Sequence, residues 1–327
     1  MMYSALKDRL FGASGTWTLK RCSRRECGLV WLDPMPLTAE LPKAYRNYYT
    51  HESMERLVPA RPEKAGWLRQ GYRLLKESYL AERYKYGAGA PSGAGKLLYL
   101  VPWRRVQVDL EVRGLSAVPG GRLLDLGCGS GLWLQTMRAL GWKVEGVDFD
   151  PGAAKAAAAG GLSVRCGSLE EQRFPAGAFD AITMSHVVEH LPDPLQTLAE
   201  CARLLKPGGR LILWTPNAAS FGHRLFGQHW RGLEPPRHLH LFSPRSMRAM
   251  LAKAGFTCIS IRTRSSRFIL QQSYLLWRGA NQPRSVASAG TSSLLVSAAL
   301  ALMEVACLPF FRQAGEWLDV QALSLRA

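Results

Sequence analysis

Short apolar runs alternate with helical patterns over the second half of the chain, and this alternation predicts its architecture. Five apolar runs predict strands: Arg122–Leu126, Val144–Asp148, Ser163–Cys166, Phe179–Met184 and Leu211–Trp214. Three intervening segments with helical spacing predict helices: Leu132–Leu140, Ala153–Ala159 and Pro194–Leu205. Strands and helices in this order form right-handed βαβ units, so we expect an α/β fold with a mostly parallel sheet and helices on both faces.

Residues that begin and end helices support these boundaries. Asp193-Pro194 offers an N-cap and a first-turn proline, and the glycines at 208 and 209 follow the end of that helix. Ser243-Pro244 begins a further helix, which we expect to end at Gly255. The two remaining strands are predicted at Thr257–Arg264 and Trp317–Leu325.

A long insertion, residues 268–312, separates these last two strands. It contains the run Leu294–Phe311, which is apolar almost all round and holds one acid, Glu304, and one proline. Eighteen residues stand at the lower limit of a bilayer span. The run therefore predicts an apolar helix that lies in a membrane interface, contacts a partner or packs against the domain itself.

The N-terminal part adds smaller elements. Cys22 and Cys27 lie between two β-like runs and resemble half of a zinc ribbon. A complete ribbon binds zinc through four thiolates, and the other early candidate ligand here is His51. We therefore predict that this segment binds no metal. A helical pattern at Trp67–Tyr86 and a glycine-rich connector at Gly87–Gly95 follow. We expect a vestigial ribbon at 1–60, a helical region and linker at 61–116, and the main domain at 117–327.

Net charge and cysteine content indicate the partners and the redox environment of the protein. The 42 Lys and Arg against 25 Asp and Glu give a net charge of +17, which suits an anionic membrane, an acidic substrate or nucleic acid. Seven scattered cysteines argue against a disulfide framework. With no apolar run near Met1, we expect a cytoplasmic protein, with peripheral attachment at the inner membrane as the alternative.

The candidate chemistry begins where the first of these strands ends, at Asp125–Gly131. Glycines stand there at every second position and an acid stands two residues before the first. This differs from the dinucleotide fingerprint G-x-G-x-x-G. A carboxylate at that place repels a pyrophosphate and suits an amine-bearing ligand, while the glycines let backbone N–H groups and a helix N-terminus approach it.

With these motifs together, residues 117–255 resemble the class I S-adenosylmethionine-dependent methyltransferases, and more narrowly the group related to ubiquinone-biosynthesis and glycan-modifying methyltransferases. Five segments carry the resemblance: Asp125–Gly131, Val147–Pro151, Phe179–Ile182, Glu189–Pro194 and Leu205–Leu213. The resemblance implies a Rossmann-like sheet of seven strands, with the half-ribbon, the helical additions and the apolar insertion attached to it. It implies S-adenosylmethionine as the cofactor.

The resemblance also assigns cofactor contacts, residue by residue. Gly127 and Gly129 would lie against the methionine part, Gly131 would allow close helix–strand contact, and Asp125 would face the amino group. Asp148 would accept hydrogen bonds from the ribose hydroxyls.

Four further residues are assigned to the adenine and to the sulfonium of the cofactor, with Leu169 beside them. Phe149 would pack on adenine. Ser168, followed by Leu169, stands where relatives usually place an Asp for the adenine amine. Ser185 and His186 would lie under the sulfonium, at the end of a strand.

A polar, aromatic segment at 217–243 is expected to form a lid over the methyl acceptor. Methyl transfer to a hydroxyl is assisted by a general base, and the candidates are His186, His229, His190, His238 and His240, of which the last three are our predicted catalytic residues. Arg237 would join the last two in a basic set for a hydroxylated or anionic acceptor. Some quinone-pathway relatives bind a divalent cation through a Glu/Glu/His cluster. In this chain His186 stands at the position of the first Glu, so no metal is predicted.

The leading hypothesis is O-methylation of a glycan, a lipid-linked molecule or a quinone-like small molecule. A nucleic-acid (RNA) methyltransferase is the second hypothesis, but the cations are spread along the chain and no RNA-binding module is recognisable. A non-catalytic cofactor-binding assembly protein is the third. The sequence leaves open which acceptor is used, which histidine is the base and what the oligomeric state is.

Overall fold

The computed structural model describes residues 1–24, 26–45, 66–87, 93–281, 291–307 and 313–325. The strands are β1 (Tyr3–Leu6), β2 (Trp17–Arg21), β3 (Val30–Leu32), β4 (Arg122–Leu126), β5 (Lys143–Asp148), β6 (Ser163–Cys166), β7 (Phe179–Ser185), β8 (Leu205–Pro216), β9 (His240–Leu241), β10 (Phe256–Arg264) and β11 (Trp317–Ser324). The α-helices are α1 (Trp67–Tyr84), α2 (Pro102–Glu111), α3 (Leu132–Ala139), α4 (Pro151–Ala159), α5 (Pro194–Leu204), α6 (Phe221–Phe226), α7 (Pro244–Lys253), α8 (Arg267–Trp277) and α9 (Thr291–Cys307).

Seven strands form the main sheet, in the order β10-β11-β8-β7-β4-β5-β6. The strands β4, β5 and β6 pair in parallel, with Leu123 opposite Val144 and Asp148 opposite Cys166. Strand β11 is antiparallel to both β8 and β10. The predicted α/β, Rossmann-like sheet is therefore confirmed, and each strand predicted from an apolar run is present.

The chain divides into two compact units. One unit comprises Thr50–Phe174 and Ala178–Ile182, and we call it the glycine-loop unit. The other comprises Met1–Tyr49, Pro175–Gly177 and Thr183–Ala327, and we call it the histidine unit. The three-part division expected from the sequence stays a prediction.

A second sheet, in the order β1-β2-β3-β9, organises the histidine unit. The predicted half-ribbon is its β2–β3 hairpin, and the thiols of Cys22 and Cys27 are free. His51 lies outside the described residues. Strand β9 pairs with β3, so the half-ribbon is joined to the segment that we expected to be a lid.

That predicted lid is a packed part of the unit. Residues 230–242 are all buried. Arg237 is fully buried, and it donates hydrogen bonds to Asp8 and Glu234 instead of facing solvent. The expectation that Arg237 binds an acceptor is therefore wrong, because its guanidinium is already neutralised by two buried carboxylates.

The predicted apolar insertion forms α8 and α9. Leu300 and Ala301 of α9 pack against the core of the histidine unit, and Ser265 donates a hydrogen bond to the buried carboxylate of Glu304. The end of the predicted run, residues 308–311, lies outside the described residues. Among the helices of the described residues, none is long and apolar enough to cross a bilayer.

In the glycine-loop unit, α1 confirms the helical pattern at 67–86. The hydroxyls of Tyr79 and Tyr84 both donate to Asp109 Oδ1, at 2.8 and 2.7 Å. Residues 88–92 of the predicted connector lie outside the described residues. Its last glycine, Gly95, is buried against α1, where a Cβ atom would come within 2.5 Å of the Tyr79 backbone nitrogen.

Candidate active site

The glycine turn leaves β4 and enters α3. Gly127, Gly129 and Gly131 have φ angles of +65°, +53° and +78°, the left-handed region that favours glycine. A Cβ atom on Gly129 would meet nothing within 4 Å, whereas one on Gly131 would lie 2.3 Å from Leu162 Cδ1. The backbone at Gly129 is therefore open to a ligand, and Gly131 allows close packing against Leu162. Contact of these glycines with the cofactor stays a prediction.

Asp148 ends β5 and is bonded to the turn. Its Oδ2 accepts a hydrogen bond from the Gly129 N–H at 2.8 Å, and its Oδ1 accepts one from the Asp150 N–H at 2.9 Å. Burial raises the pKa of this carboxyl. Each carboxylate oxygen can accept a second hydrogen bond, so Asp148 can take two ribose hydroxyls while it holds the glycine turn in place.

Asp125 is paired with a cation that the sequence analysis missed. Arg113 Nη1 donates to Asp125 Oδ1 at 2.6 Å, and its guanidinium lies 3.7 Å from the centre of the Trp133 ring. Both charged side chains are mostly buried. Because they lie side by side, Asp125 can bind the ammonium of an amino-acid group and Arg113 can bind its carboxylate. No motif contains Arg113, so only the folded chain could place it there.

Residues predicted near adenine differ in exposure. The Phe149 ring is half-exposed, and Leu169 is buried. The Ser168 N–H donates to Glu171 Oε2 at 2.8 Å, and Ser168 Oγ accepts from the Glu171 N–H at 3.4 Å. The serine therefore closes its own turn, and its contact with adenine stays a prediction.

In the histidine unit, His186 directly follows Ser185, the last residue of β7, and has a φ of +57°. Its Nδ1 lies 3.1 Å from Glu189 Oε1, and Thr215 Oγ1 donates to Glu189 Oε2 at 2.9 Å. The Glu189 side chain has no exposed surface. Burial favours the protonated acid, but the hydrogen bond from His186 and the nearby imidazoles outweigh it and lower the pKa of Glu189 to about 2.

This arrangement fixes the tautomer of His186. An ionised carboxylate only accepts hydrogen bonds, so Nδ1 of His186 carries a proton, and in the neutral imidazole it is Nε2 that holds the lone pair. The imidazole is partly exposed, with 36% of its side-chain surface accessible. His186 therefore combines access to solvent with a fixed ring, and its neutral form presents Nε2 as a proton acceptor, as a general base requires.

The three histidines predicted as catalytic are held by backbone carbonyls. Nδ1 of His190, His238 and His240 lies 2.9, 2.7 and 3.2 Å from the carbonyl oxygens of Arg237, Gly232 and Leu191. Burial lowers the pKa of His238 to about 4 and also lowers the pKa of His240. A role for any of the three in catalysis stays a prediction.

Glu189, His190 and His238 each place one potential metal-ligand atom within 4.8 Å of the others. Both carboxylate oxygens of Glu189 already accept hydrogen bonds. The cluster fits a hydrogen-bonded set better than a cation site, and the absence of a metal stays a prediction.

Comparison with known proteins finds a matching family model and similar curated sequences. A family model described as a methyltransferase domain matches residues 103–261. A ubiquinone biosynthesis O-methyltransferase of Xanthomonas oryzae pv. oryzae (strain PXO99A) is 37% identical over 148 residues, which cover 41% of this chain and 62% of the relative. A protein of the same name from Xanthomonas euvesicatoria pv. vesicatoria (strain 85-10) is 35% identical over 195 residues, which cover 56% of this chain and 79% of that relative.

This chain thus spans less than two thirds of the first relative's length. Among solved structures, a methyltransferase from Archaeoglobus fulgidus aligns with 75% of this chain and 97% of its own, at 20% identity and a TM-score of 0.45.

Proposed function

Because the chain belongs to the class I S-adenosylmethionine-dependent methyltransferases, we propose that it transfers the methyl group to a hydroxyl oxygen of a small acceptor. S-adenosylmethionine supplies an electrophilic methyl group on a sulfonium. The protein orients the donor and the acceptor, and it removes the hydroxyl proton. A neutral amine needs no base before it reacts, so a built general base favours an oxygen acceptor.

The observation that carries this proposal is the hydrogen-bonded series Thr215–Glu189–His186. Glu189 holds the His186 imidazole in the tautomer whose Nε2 can take a proton, and its negative charge stabilises the imidazolium that forms. In open α/β sheets, ligands bind outside the carboxyl ends of the strands, and His186 directly follows β7. Ser185 would lie beside it, at the same strand end.

On the cofactor side, the open backbone at Gly129, the Asp148 carboxylate and the Asp125–Arg113 pair fit S-adenosylmethionine. Gly127 would lie against its methionine part and Phe149 against its adenine.

For the acceptor we propose a glycan, a lipid-linked molecule or a quinone-like molecule. The names of the Xanthomonas relatives support methylation of oxygen in ubiquinone biosynthesis, but the alignment with the first of them covers 62% of its length. We also propose peripheral attachment to an anionic membrane, which the net charge of +17 supports.

The test is transfer of a labelled methyl group from S-adenosylmethionine into fractionated cell extract by the full chain. We expect the label in a small, organic-extractable or glycan fraction as an O-methyl ether. Label in RNA would contradict the proposal and favour the nucleic-acid hypothesis. Label in N-methyl groups of a small molecule would contradict an oxygen acceptor. Binding of the cofactor without any transfer would favour the assembly protein.

Replacing Asp148 by Asn is expected to weaken binding of S-adenosylmethionine at least tenfold. Both carboxylate oxygens accept backbone N–H groups, so in either orientation the new amide NH₂ faces a donor. A hydrogen bond to a charged group contributes about 1.5–3 kcal/mol. Calorimetric titration with the cofactor measures the change, and the cofactor-induced rise in Tm should shrink with it.

The matched control is Asp150→Asn. Asp150 caps α4 by accepting a hydrogen bond from the Gly152 N–H at 2.8 Å, and Asn is an equally good N-cap residue. Its cofactor affinity should stay close to that of the unmodified protein. Equal losses in both variants would mean that Asp148 only supports the local fold.

A further inference from the structure

A patch of large apolar side chains stands out in the glycine-loop unit. Leu97, Tyr99, Leu100 and Trp103 are 53%, 49%, 77% and 66% exposed, and they lie within seven residues of one another. Soluble proteins scatter such residues singly, and an exposed cluster marks an interaction site. We call these four residues the Leu97–Trp103 patch.

The patch is held outward by its neighbours. Gly95 is buried against α1, and its N–H donates to Ser78 Oγ at 2.8 Å. Leu98 is buried at 2% exposure, so the short 3₁₀ helix Ala94–Leu100 is anchored on one side. Its other side carries Leu97 and Leu100. The exposed apolar residues therefore belong to a segment that is packed firmly against α1.

Charge identifies the partner. Between Glu82 and Asp109 the sequence holds no acid and five bases. Lys96 and Arg104 flank the patch and are exposed. Leucines and a tryptophan next to lysine and arginine are the composition of segments that lie at the boundary between lipid headgroups and acyl chains.

The outer face of α9 is the rival surface. It exposes Leu295, Leu302 and Met303, but α9 contains no Lys or Arg and no aromatic residue. It therefore lacks both the attraction to anionic headgroups and the interfacial tryptophan.

We propose that the Leu97–Trp103 patch, with Lys96 and Arg104, docks the protein on an anionic lipid bilayer, where the leucines and Trp103 enter the interface. The inference rests on the proposed membrane location and names the surface responsible. It does not depend on which acceptor is methylated.

The experiment is sedimentation of the full chain with vesicles of phosphatidylcholine alone, or of equal parts phosphatidylcholine and phosphatidylglycerol. The double variant Leu97→Ser/Leu100→Ser is compared with Leu37→Ser/Leu225→Ser, whose leucines are 75% and 50% exposed but lie outside the patch. A third arm carries Leu295→Ser/Leu302→Ser. Size-exclusion chromatography and the cofactor-induced rise in Tm are recorded for every variant.

We expect the unmodified protein to prefer the anionic vesicles, and salt raised from about 0.1 M to about 0.5 M to weaken this binding because it shortens the range of charge attraction. The patch variant should bind at least tenfold more weakly, while the Leu37/Leu225 control binds as before.

Three results would overturn the proposal. One is equal binding by the patch variant and the unmodified protein, which includes no binding by either. Another is a loss confined to the Leu295/Leu302 variant. The third is a change from dimer to monomer in the patch variant, because the partner would then be a second copy of the chain. An unchanged cofactor response in the patch variant shows that it is folded, and labelled methyl transfer tests the proposed function separately.

Discussion

Replacing His186 by Gln is expected to lower the rate of methyl transfer by a factor of about 10² to 10⁴, the usual contribution of a general base. Gln keeps the approximate size and can still donate a hydrogen bond to Glu189, but it cannot take a proton from a hydroxyl. The apparent affinity for S-adenosylmethionine should change little in comparison. The measurement is the single-turnover rate of transfer to a hydroxyl acceptor, together with calorimetric binding of the cofactor.

Variants at the other histidines make this prediction specific. His238→Gln and His240→Gln should retain far more activity, because both imidazoles are buried and already donate to backbone carbonyls. Full activity in His186→Gln with a large loss in His238→Gln would contradict our assignment and support the histidines predicted from the sequence.

Glu189 should act by positioning His186. In Glu189→Gln the amide can leave His186 in the wrong tautomer, so we expect an intermediate loss of rate. The pKa of Glu189, about 2, keeps the carboxylate ionised throughout the neutral range. The acidic fall of the rate with pH should therefore not report the titration of Glu189.

Replacing Arg237 by Met is expected to destabilise the fold by about 3–5 kcal/mol, the usual result of removing one partner from a buried ion pair. Arg237 donates to both oxygens of Asp8 at 2.8 and 2.9 Å and to Glu234 Oε1 at 2.9 Å. Without it, two buried carboxylates lose their nearest common cation. Urea unfolding at neutral pH measures the change.

Arg203→Met is the matched control. Arg203 also makes two hydrogen bonds to one carboxylate, at 2.7 and 2.6 Å to Glu200, but its side chain is 33% exposed. Partly solvated pairs of this kind contribute at most about 1 kcal/mol. Similar losses in the two variants would show that burial of the Arg237 network is not what makes it stabilising.

The same network makes the free energy of unfolding depend on pH. Although burial favours the neutral acids, Arg237 lowers the pKa of Asp8, and Arg231 with Arg237 lowers the pKa of Glu234. A lowered carboxyl pKa adds stability above the unfolded values of about 3.9 and 4.3, and this stability is lost as the pH falls below them. In Arg237→Met, unfolding should therefore depend less on pH in this acidic range.

Much of the fold and the cofactor side could be read from local patterns. The run at Arg122–Leu126 is followed at once by the glycines at 127, 129 and 131, and a backbone turn is determined by its own residues. Asp148 ends the next strand along the chain, which its own apolar run predicts. The apolar insertion was likewise found from its composition. The structure confirms the sheet, the turn and the inserted helix.

The acceptor side was less predictable, because its contacts join distant segments. Arg237 looked like a binding residue until Asp8, 229 positions earlier in the chain, appeared beside it. His238 and His240 were placed in a lid over the acceptor, and only the structure shows that their segment is buried and pairs with β3. His186 was assigned to the cofactor and was only one of five candidate bases, and nothing local showed that Thr215 would complete its hydrogen bonding through Glu189.

By itself the sequence determined the α/β class, the glycine turn and the cofactor family, because those depend on periodicity and on short-range backbone geometry. Only the tertiary structure decided which polar residues are neutralised in the interior and which keep a reactive atom accessible. Burial and ion pairing depend on residues brought together from far along the chain, and these decide whether an arginine or histidine stabilises the fold or is available for chemistry.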